Sequence, residues 1–211
     1  MSEAFLWAEL TSLFLVIPFI AWLEVFRVSI FLIFAFPVAW SLVVFALLYC
    51  SEKKSGREGE RPVGRKPVSV FWRIPLVIVM IAGTAWFTDR DNFLIIPREN
   101  PGLWKIILVF YPLISAAPQE FLYRVFFFRR YERILGNGAI LIAVNVAAFG
   151  GLHVIYDNWL APALTLAGGW IFAASWRAHG SFLLIWLEHS LYGLAIFTFG
   201  LGRYFYEAPG G

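Results

Sequence analysis

Long apolar runs that are almost free of charge constrain this chain more than any other feature of its sequence. A helix needs about 20 apolar residues, at 1.5 Å per residue, to cross a hydrocarbon core about 30 Å thick. Because a bilayer offers no water to peptide groups, such runs fold as helices. We therefore expect an all-α, polytopic membrane bundle of about seven (six to eight) transmembrane helices. The runs are Phe5–Leu23, Val28–Cys50, Val70–Phe87, Leu103–Phe128, Ala139–His153, Pro162–Ala178 and Phe182–Phe199.

The composition excludes most other classes of protein. Apolar residues make up 60% of the 211 residues and charged residues 15%, against about 45–50% and about 25% in soluble domains. Nine of the 31 charges lie within 51–66, so the other 195 residues carry only 22. The single cysteine, Cys50, excludes an intramolecular disulfide and a cysteine-based metal cluster. Disorder, a collagen-like fibre, a disulfide scaffold and an ordinary cytosolic enzyme are therefore excluded.

The segment 51–69 is the one stretch with the composition of a soluble loop. Its basic residues are Lys53, Lys54, Arg57, Arg61, Arg65 and Lys66. Since positive charge favours the cytoplasmic side, we expect a cytoplasmic loop that contacts anionic lipid, with the N-terminus inside. The same bias explains the net charge of +3, so we expect no nucleic acid as a partner. We expect 1–211 to form one integral membrane domain in the cytoplasmic membrane of a bacterium or archaeon.

Ionisable residues inside apolar runs are costly and therefore point to function. Glu120 and Arg124 lie within Leu103–Phe128, one helical turn apart, so they share a face and can pair. Gln119 lies on the adjacent face, and Pro118 favours a kink. A structural ion pair that fixes helix packing is the alternative interpretation.

Two histidines occupy comparable places in later runs. His153 closes the fifth run and shares a helical stripe with Asn145 and Phe149. His189 lies in the seventh run beside Glu188, and Tyr192 follows three residues later. An interfacial histidine bonded to a loop, or a neutral histidine bonded to another helix, is the structural alternative for each.

A carboxylate and two histidines on three helices can serve several kinds of chemistry. Glu120 can take a proton from water that one histidine orients, while the second histidine donates to an oxyanion. Glu120, His153 and His189 can also hold a divalent metal such as zinc. A proton-coupled transporter and bis-histidine haem ligation are further readings of the same side chains. Spacing alone does not choose between them.

The three segments, in this order, resemble the motifs of the CAAX protease and bacteriocin-processing (CPBP) family. These membrane proteases are also called abortive-infection-like and are related to type II CAAX prenyl endopeptidases. The family motifs are Glu-Glu-x-x-x-Arg, Phe-x-x-x-His and His-x-x-x-Asn. Here they read from Gln119 to Arg124, from Phe149 to His153 and from His189 to Gly193. The resemblance covers about 103–200, which we expect to be a protease-like core.

The resemblance implies a glutamic intramembrane endopeptidase that cleaves a membrane-associated protein or peptide. We expect no cofactor, with a divalent metal such as zinc as the open alternative. In the family, a glutamate and the histidine of the second motif activate water, and the last histidine stabilises the oxyanion. Carried over, Glu120 and Arg124 are the second glutamate and the arginine of the first motif. His153 is then the histidine that orients water, and His189 is the oxyanion donor. The substrate class stays open.

Two positions depart from the family motifs. Gln119 stands where the family has its first glutamate, usually the general base, and Gly193 stands at the final asparagine. If the protein is active, Glu120 is the base, and Asn145 or Tyr192 supplies the missing donor. The alternative is a catalytically inactive member of the fold that acts as a scaffold, chaperone or immunity protein.

Overall fold

A computed structural model describes residues 2–22 and 68–205, and over these ranges the chain is helical without any β-strand. The predicted span Val28–Cys50 and nearly all of the predicted loop 51–69 lie outside the described residues. The predicted all-α membrane bundle is confirmed for the part of the chain that the structure describes.

From Val68 onward, the described helices follow one another with short connections. Helix α1 joins Glu3–Thr11, a π-helical stretch at Ser12–Val16, and Ile17–Trp22. The others are α2 (Val68–Thr88), α3 (Ile95–Glu99), α4 (Pro101–Leu135), α5 (Ala139–Leu152), α6 (Leu160–His179) and α7 (Phe182–Thr198). Single 3₁₀ turns lie at Arg90–Asn92, His153–Tyr156 and Leu201–Phe205.

Local sequence explains where several helices begin and end. The Asn100 side chain accepts from the Leu103 amide at 3.0 Å, and Pro101 opens α4. Ser181 caps α7 in the same way. Gly180, with φ of 58°, follows α6 in a left-handed conformation that glycine tolerates best. His179 is the last residue of α6.

The described helices have the dimensions and surface of membrane spans. Four are long and apolar enough to cross a bilayer: Glu3–Ile20, Val70–Thr88, Pro101–Leu135 and Ala139–Tyr156. Helix α6 has 20 residues, and α7 is an apolar helix of 17. Large apolar side chains point outward, including Trp72 at 77% and Phe87 at 88% exposure. This surface suits lipid, and the protein is an integral membrane protein.

Helix α4 is longer than the predicted span Leu103–Phe128. Its 35 residues correspond to about 50 Å, well beyond a core of about 30 Å. The last turns of the helix carry Arg129, Arg130 and Arg133. The helix ends before Gly136, whose φ is 69°. The helix can continue past the hydrocarbon core because its backbone groups bond to one another in water as well as in lipid.

Aromatic packing and one ion pair join α1 to α4. The ring of Phe14 meets those of Tyr123 and Phe127 edge-on, with centroids 5.4 and 5.1 Å apart. Near the end of α4, Arg130 Nε donates to Glu9 Oε1 at 2.9 Å. These contacts hold the second half of α4 against α1.

Glycines bring α5 and α6 into close contact. A Cβ on Gly150 would lie 2.5 Å from Leu166 Cδ2, and one on Gly169 would lie 3.0 Å from the Phe149 ring. Helix α7 packs against α2, α6 and the middle of α4. Helices α4, α5, α6 and α7 consequently surround one buried polar region.

Candidate active site

The centre of the buried region is a three-residue contact between α4 and α7. Glu120 and Arg124 are completely buried and pair as predicted, with Arg124 Nε 3.3 Å from Glu120 Oε2. His189 Nδ1 lies 2.7 Å from the other oxygen, Oε1. An ionised carboxylate only accepts hydrogen bonds. If Glu120 is ionised, the proton of this contact is therefore on Nδ1 of His189. The first and third sequence motifs therefore meet through Glu120.

One oxygen of Glu120 keeps the capacity to accept a hydrogen bond. The 3.3 Å approach of Arg124 is an ion-pair contact without hydrogen-bond geometry, and Oε2 of Glu120 has no hydrogen-bond partner among the described residues. A buried carboxylate oxygen without a donor is costly. Oε2 is thus the atom of this pair that is suited to accept a proton from water.

Arg124 is held in place from α5 and α6. Its Nη1 donates to Asn145 Oδ1 at 2.7 Å, and its Nη2 donates to the Gly169 carbonyl at 3.4 Å. Asn145 Nδ2 donates in turn to the Tyr123 carbonyl at 2.6 Å. The Asn145 side chain therefore positions Arg124.

Two wide helical turns flank Glu120 on α4. The stretches Tyr111–Ala116 and Phe121–Phe126 are π-helical, and the α-helical turn Ala117–Glu120 lies between them. Pro118 cannot donate to the backbone turn before it, and the first stretch widens where the kink was expected. Single π-helical turns occur often at functional sites because they redirect side chains within a helix.

Aromatic rings fix the orientation of His189. Its ring stacks on Phe172, with centroids 4.7 Å apart and planes at 19°, and it meets Phe149 edge-on at 5.8 Å. Its other nitrogen, Nε2, makes no hydrogen bond to any described residue. That nitrogen can serve a ligand.

His153 lies on the same side of the buried region. Its Nδ1 is 2.8 Å from the Phe149 carbonyl, which can only accept, so the proton sits on Nδ1 and a neutral ring keeps a lone pair on Nε2. His153 is close enough to His189 for the two to interact electrostatically, and Phe149 contacts both rings. Asn145, Phe149 and His153 are all buried. All three motifs thus converge around Phe149.

The two unusual motif positions have clear surroundings. Gln119 is half-buried, and its Nε2 donates to Ser115 Oγ at 3.0 Å. At Gly193 there is no room for a side chain, because any Cβ would overlap the hydroxyl and ring of Tyr111. Tyr192, considered as a replacement donor, donates instead to Glu188 Oε1 at 3.1 Å.

A second buried polar cluster joins α2 to α6 and α7. Glu188 is completely buried, and its Oε1 lies 2.5 Å from Nη2 of Arg73. Ser175 Oγ donates to the other oxygen of Glu188 at 2.5 Å. Sequence reasoning noted Glu188 but missed Arg73. The available signal was a lone arginine near the start of the apolar run Val70–Phe87, since a buried carboxylate requires a cation from elsewhere.

The replacement of Arg73 by methionine is expected to lower the free energy of unfolding by about 3 kcal/mol, because it strands the buried carboxylate of Glu188. Reversible unfolding in mixed micelles measures this change, and the exposed Arg98→Met serves as the control. The double variant Arg73→Met/Glu188→Met should recover most of the loss, since no charge is left unpaired. Equal stability of Arg73→Met and Arg98→Met would show that the ion pair between Arg73 and Glu188 does not stabilise the fold.

The described residues contain no group of three histidine, cysteine, aspartate or glutamate side chains arranged to hold a metal ion. Glu120 and His189 contact each other directly, and His153 bonds the backbone through Nδ1. The zinc alternative for Glu120, His153 and His189 stays a prediction.

Comparison with known proteins gives one family. A family model described as type II CAAX prenyl endopeptidase Rce1-like matches residues 101–195. Searches of curated proteins and of solved structures gave no match. The segment 101–195, which carries all three motifs, thus matches the Rce1-like type II CAAX prenyl endopeptidase family and confirms the resemblance predicted from those motifs.

Proposed function

We propose that this protein is an intramembrane endopeptidase that hydrolyses a peptide bond of a membrane-associated protein or peptide. The contact between Glu120 and His189, 2.7 Å long and buried among apolar helices, carries the proposal. An acid–base pair in such surroundings is costly to folding, and ionisable residues that membrane proteins retain at this depth generally serve a function. The family match of residues 101–195 supports the same reaction class.

The proposed reaction begins with water between Glu120 and His153. Oε2 of Glu120, which lacks a hydrogen-bond donor, takes one proton of the water, and Nε2 of His153 accepts a hydrogen bond from the other. The water oxygen then bonds to the carbonyl carbon of the scissile peptide. In the second step, Glu120 returns its proton to the leaving amine nitrogen as the carbon–nitrogen bond breaks.

His189 stabilises the tetrahedral intermediate in this scheme. With Glu120 ionised, Nδ1 of His189, 2.7 Å from Oε1, carries a proton. A second proton on Nε2 then makes the ring a cation that the carboxylate of Glu120 balances. As Glu120 takes up the proton from water, negative charge moves to the carbonyl oxygen, which accepts a hydrogen bond from Nε2. Such preorganised donors usually supply a large share of the rate enhancement in acyl transfer.

The test is cleavage by the purified full chain in detergent and in liposomes. The probes are a farnesylated peptide ending in a Cys-aliphatic-aliphatic-X sequence, its unprenylated counterpart, and a library of apolar peptides, with the products identified by mass spectrometry. We expect cleavage by the wild type, a loss of about 10²–10⁴-fold in His153→Gln, and activity retained in His179→Gln. Equal rates in the two histidine variants would contradict the proposed site.

A catalytically inactive scaffold is the second candidate function. The side chain of Gln119 favours it, because an amide cannot act as a base and this one is bonded to Ser115. On this alternative, folded wild-type protein cleaves none of the probes, and Gln119→Glu does not create activity. Cleavage by the wild type excludes it.

A further inference from the structure

We propose that Tyr111 is a further catalytic residue, whose hydroxyl donates a hydrogen bond to the carbonyl oxygen of the scissile peptide. The inference rests on the proposed function and adds a donor on α4 to the one that His189 supplies from α7. It begins with an unused polar atom. The Tyr111 side chain is half-buried, and its hydroxyl makes no hydrogen bond to any described residue.

The position of this hydroxyl is defined by Gly193. A Cβ built on Gly193 would overlap the Tyr111 hydroxyl and its ring, so the hydroxyl lies directly against the backbone of α7. Gly193 is one helical turn beyond His189 and therefore on the same face of α7. Tyr111 occupies the space that a side chain at residue 193 would fill.

The Tyr111 side chain lies among the residues of the candidate active site. The ring meets His189 edge-on at 6.1 Å and Phe197 at 5.4 Å. Glu120 and Tyr156 are close enough to Tyr111 to interact with it electrostatically. Tyr111 also begins the first π-helical stretch of α4, which sets the direction of its side chain. A phenol held here, with its proton unused, can donate to an oxyanion that forms beside His189.

The expected chemistry needs no change in the protonation of Tyr111. The hydroxyl keeps its proton throughout and donates to the carbonyl oxygen, more strongly when that oxygen carries negative charge in the tetrahedral intermediate. Such a donor acts on the rate of the chemical step more than on ground-state binding.

Tyr111→Phe tests the role because it removes only the hydroxyl and keeps the ring contacts with His189 and Phe197. With the farnesylated peptide of the cleavage assay, we expect kcat to fall about 10²-fold with KM and the unfolding midpoint little changed. A thioamide at the scissile position accepts hydrogen bonds poorly, so the preference for the ordinary amide should shrink in Tyr111→Phe. A purely structural role would not change that preference.

Gly193→Ala supplies a second test, since its methyl group displaces the Tyr111 side chain. We expect a comparable loss of kcat, and Tyr111→Phe/Gly193→Ala should lose little more than either single variant. Wild-type cleavage with kcat unchanged in Tyr111→Phe would overturn the role of Tyr111 alone. No cleavage of any probe by the wild type would overturn the proposed function and this role with it.

Discussion

Glu120→Gln is expected to reduce the rate of peptide hydrolysis by at least about 10³-fold, because it removes the base and also the charge that balances a protonated His189. Glutamine has nearly the same shape and its carbonyl oxygen can still accept from Nδ1 of His189, 2.7 Å away in the wild type. The buried contact therefore survives in altered form, and the loss of rate is larger than the loss of stability. Initial rates under saturating peptide, together with the unfolding midpoint, separate the two effects.

The matched control is Glu132→Gln, which removes an exposed carboxylate from the same helix and should keep full activity. His189→Gln should lose a comparable amount, and the double variant Glu120→Gln/His189→Gln should be little worse than either, since the two groups act as a unit. Independent, multiplicative losses would mean that the contact between Glu120 and His189 has no part in catalysis. Full activity in Glu120→Gln would refute the proposed base.

Arg124→Met is expected to lower the free energy of unfolding by about 3–5 kcal/mol, because it leaves a carboxylate unpaired in the protein interior. Both Glu120 and Arg124 are completely buried. Methionine also leaves Asn145 Oδ1 and the Gly169 carbonyl without the donors that Arg124 provides. Of the single substitutions considered, this one should have the largest effect on stability.

Unfolding of the full chain in mixed micelles measures the loss, with Lys105→Met as the control because Lys105 is exposed on the same helix. The double variant Glu120→Met/Arg124→Met should recover part of the stability while it stays inactive, since no charge is then stranded. A change in Arg124→Met no larger than in Lys105→Met would show that the ion pair does not hold the site together.

Local features of the site were predictable because they depend on residues within one or two helical turns. Glu120 and Arg124 are four residues apart and pair as expected. Asn145, Phe149 and His153 were expected to share one helical stripe, and all three are buried. Contacts between helices were not predictable in this way. His189 and Glu120 are 69 residues apart in sequence, and their contact depends on how α7 is rotated against α4.

Arg73 shows the same limit. It lies 115 residues from Glu188 in sequence, and neither hydropathy nor periodicity predicts that the two side chains form an ion pair. Gly193 is a second example, because its sequence position suggested a lost donor, whereas the space beside it holds the hydroxyl of Tyr111. In both cases the neighbouring side chain comes from a different helix, Arg73 from α2 and Tyr111 from α4.

Hydropathy and three short motifs were enough to predict the helical membrane architecture and the match of residues 101–195 to the Rce1-like family model. Lipid admits few backbone structures, and each motif is local in sequence. Which polar groups meet depends on how the helices pack against one another. His189 contacts Glu120, Arg124 donates to Asn145, and the Tyr111 hydroxyl lies against Gly193. The hydropathy of a segment predicts whether that segment spans the membrane, whereas contacts between helices depend on how all of the helices pack together.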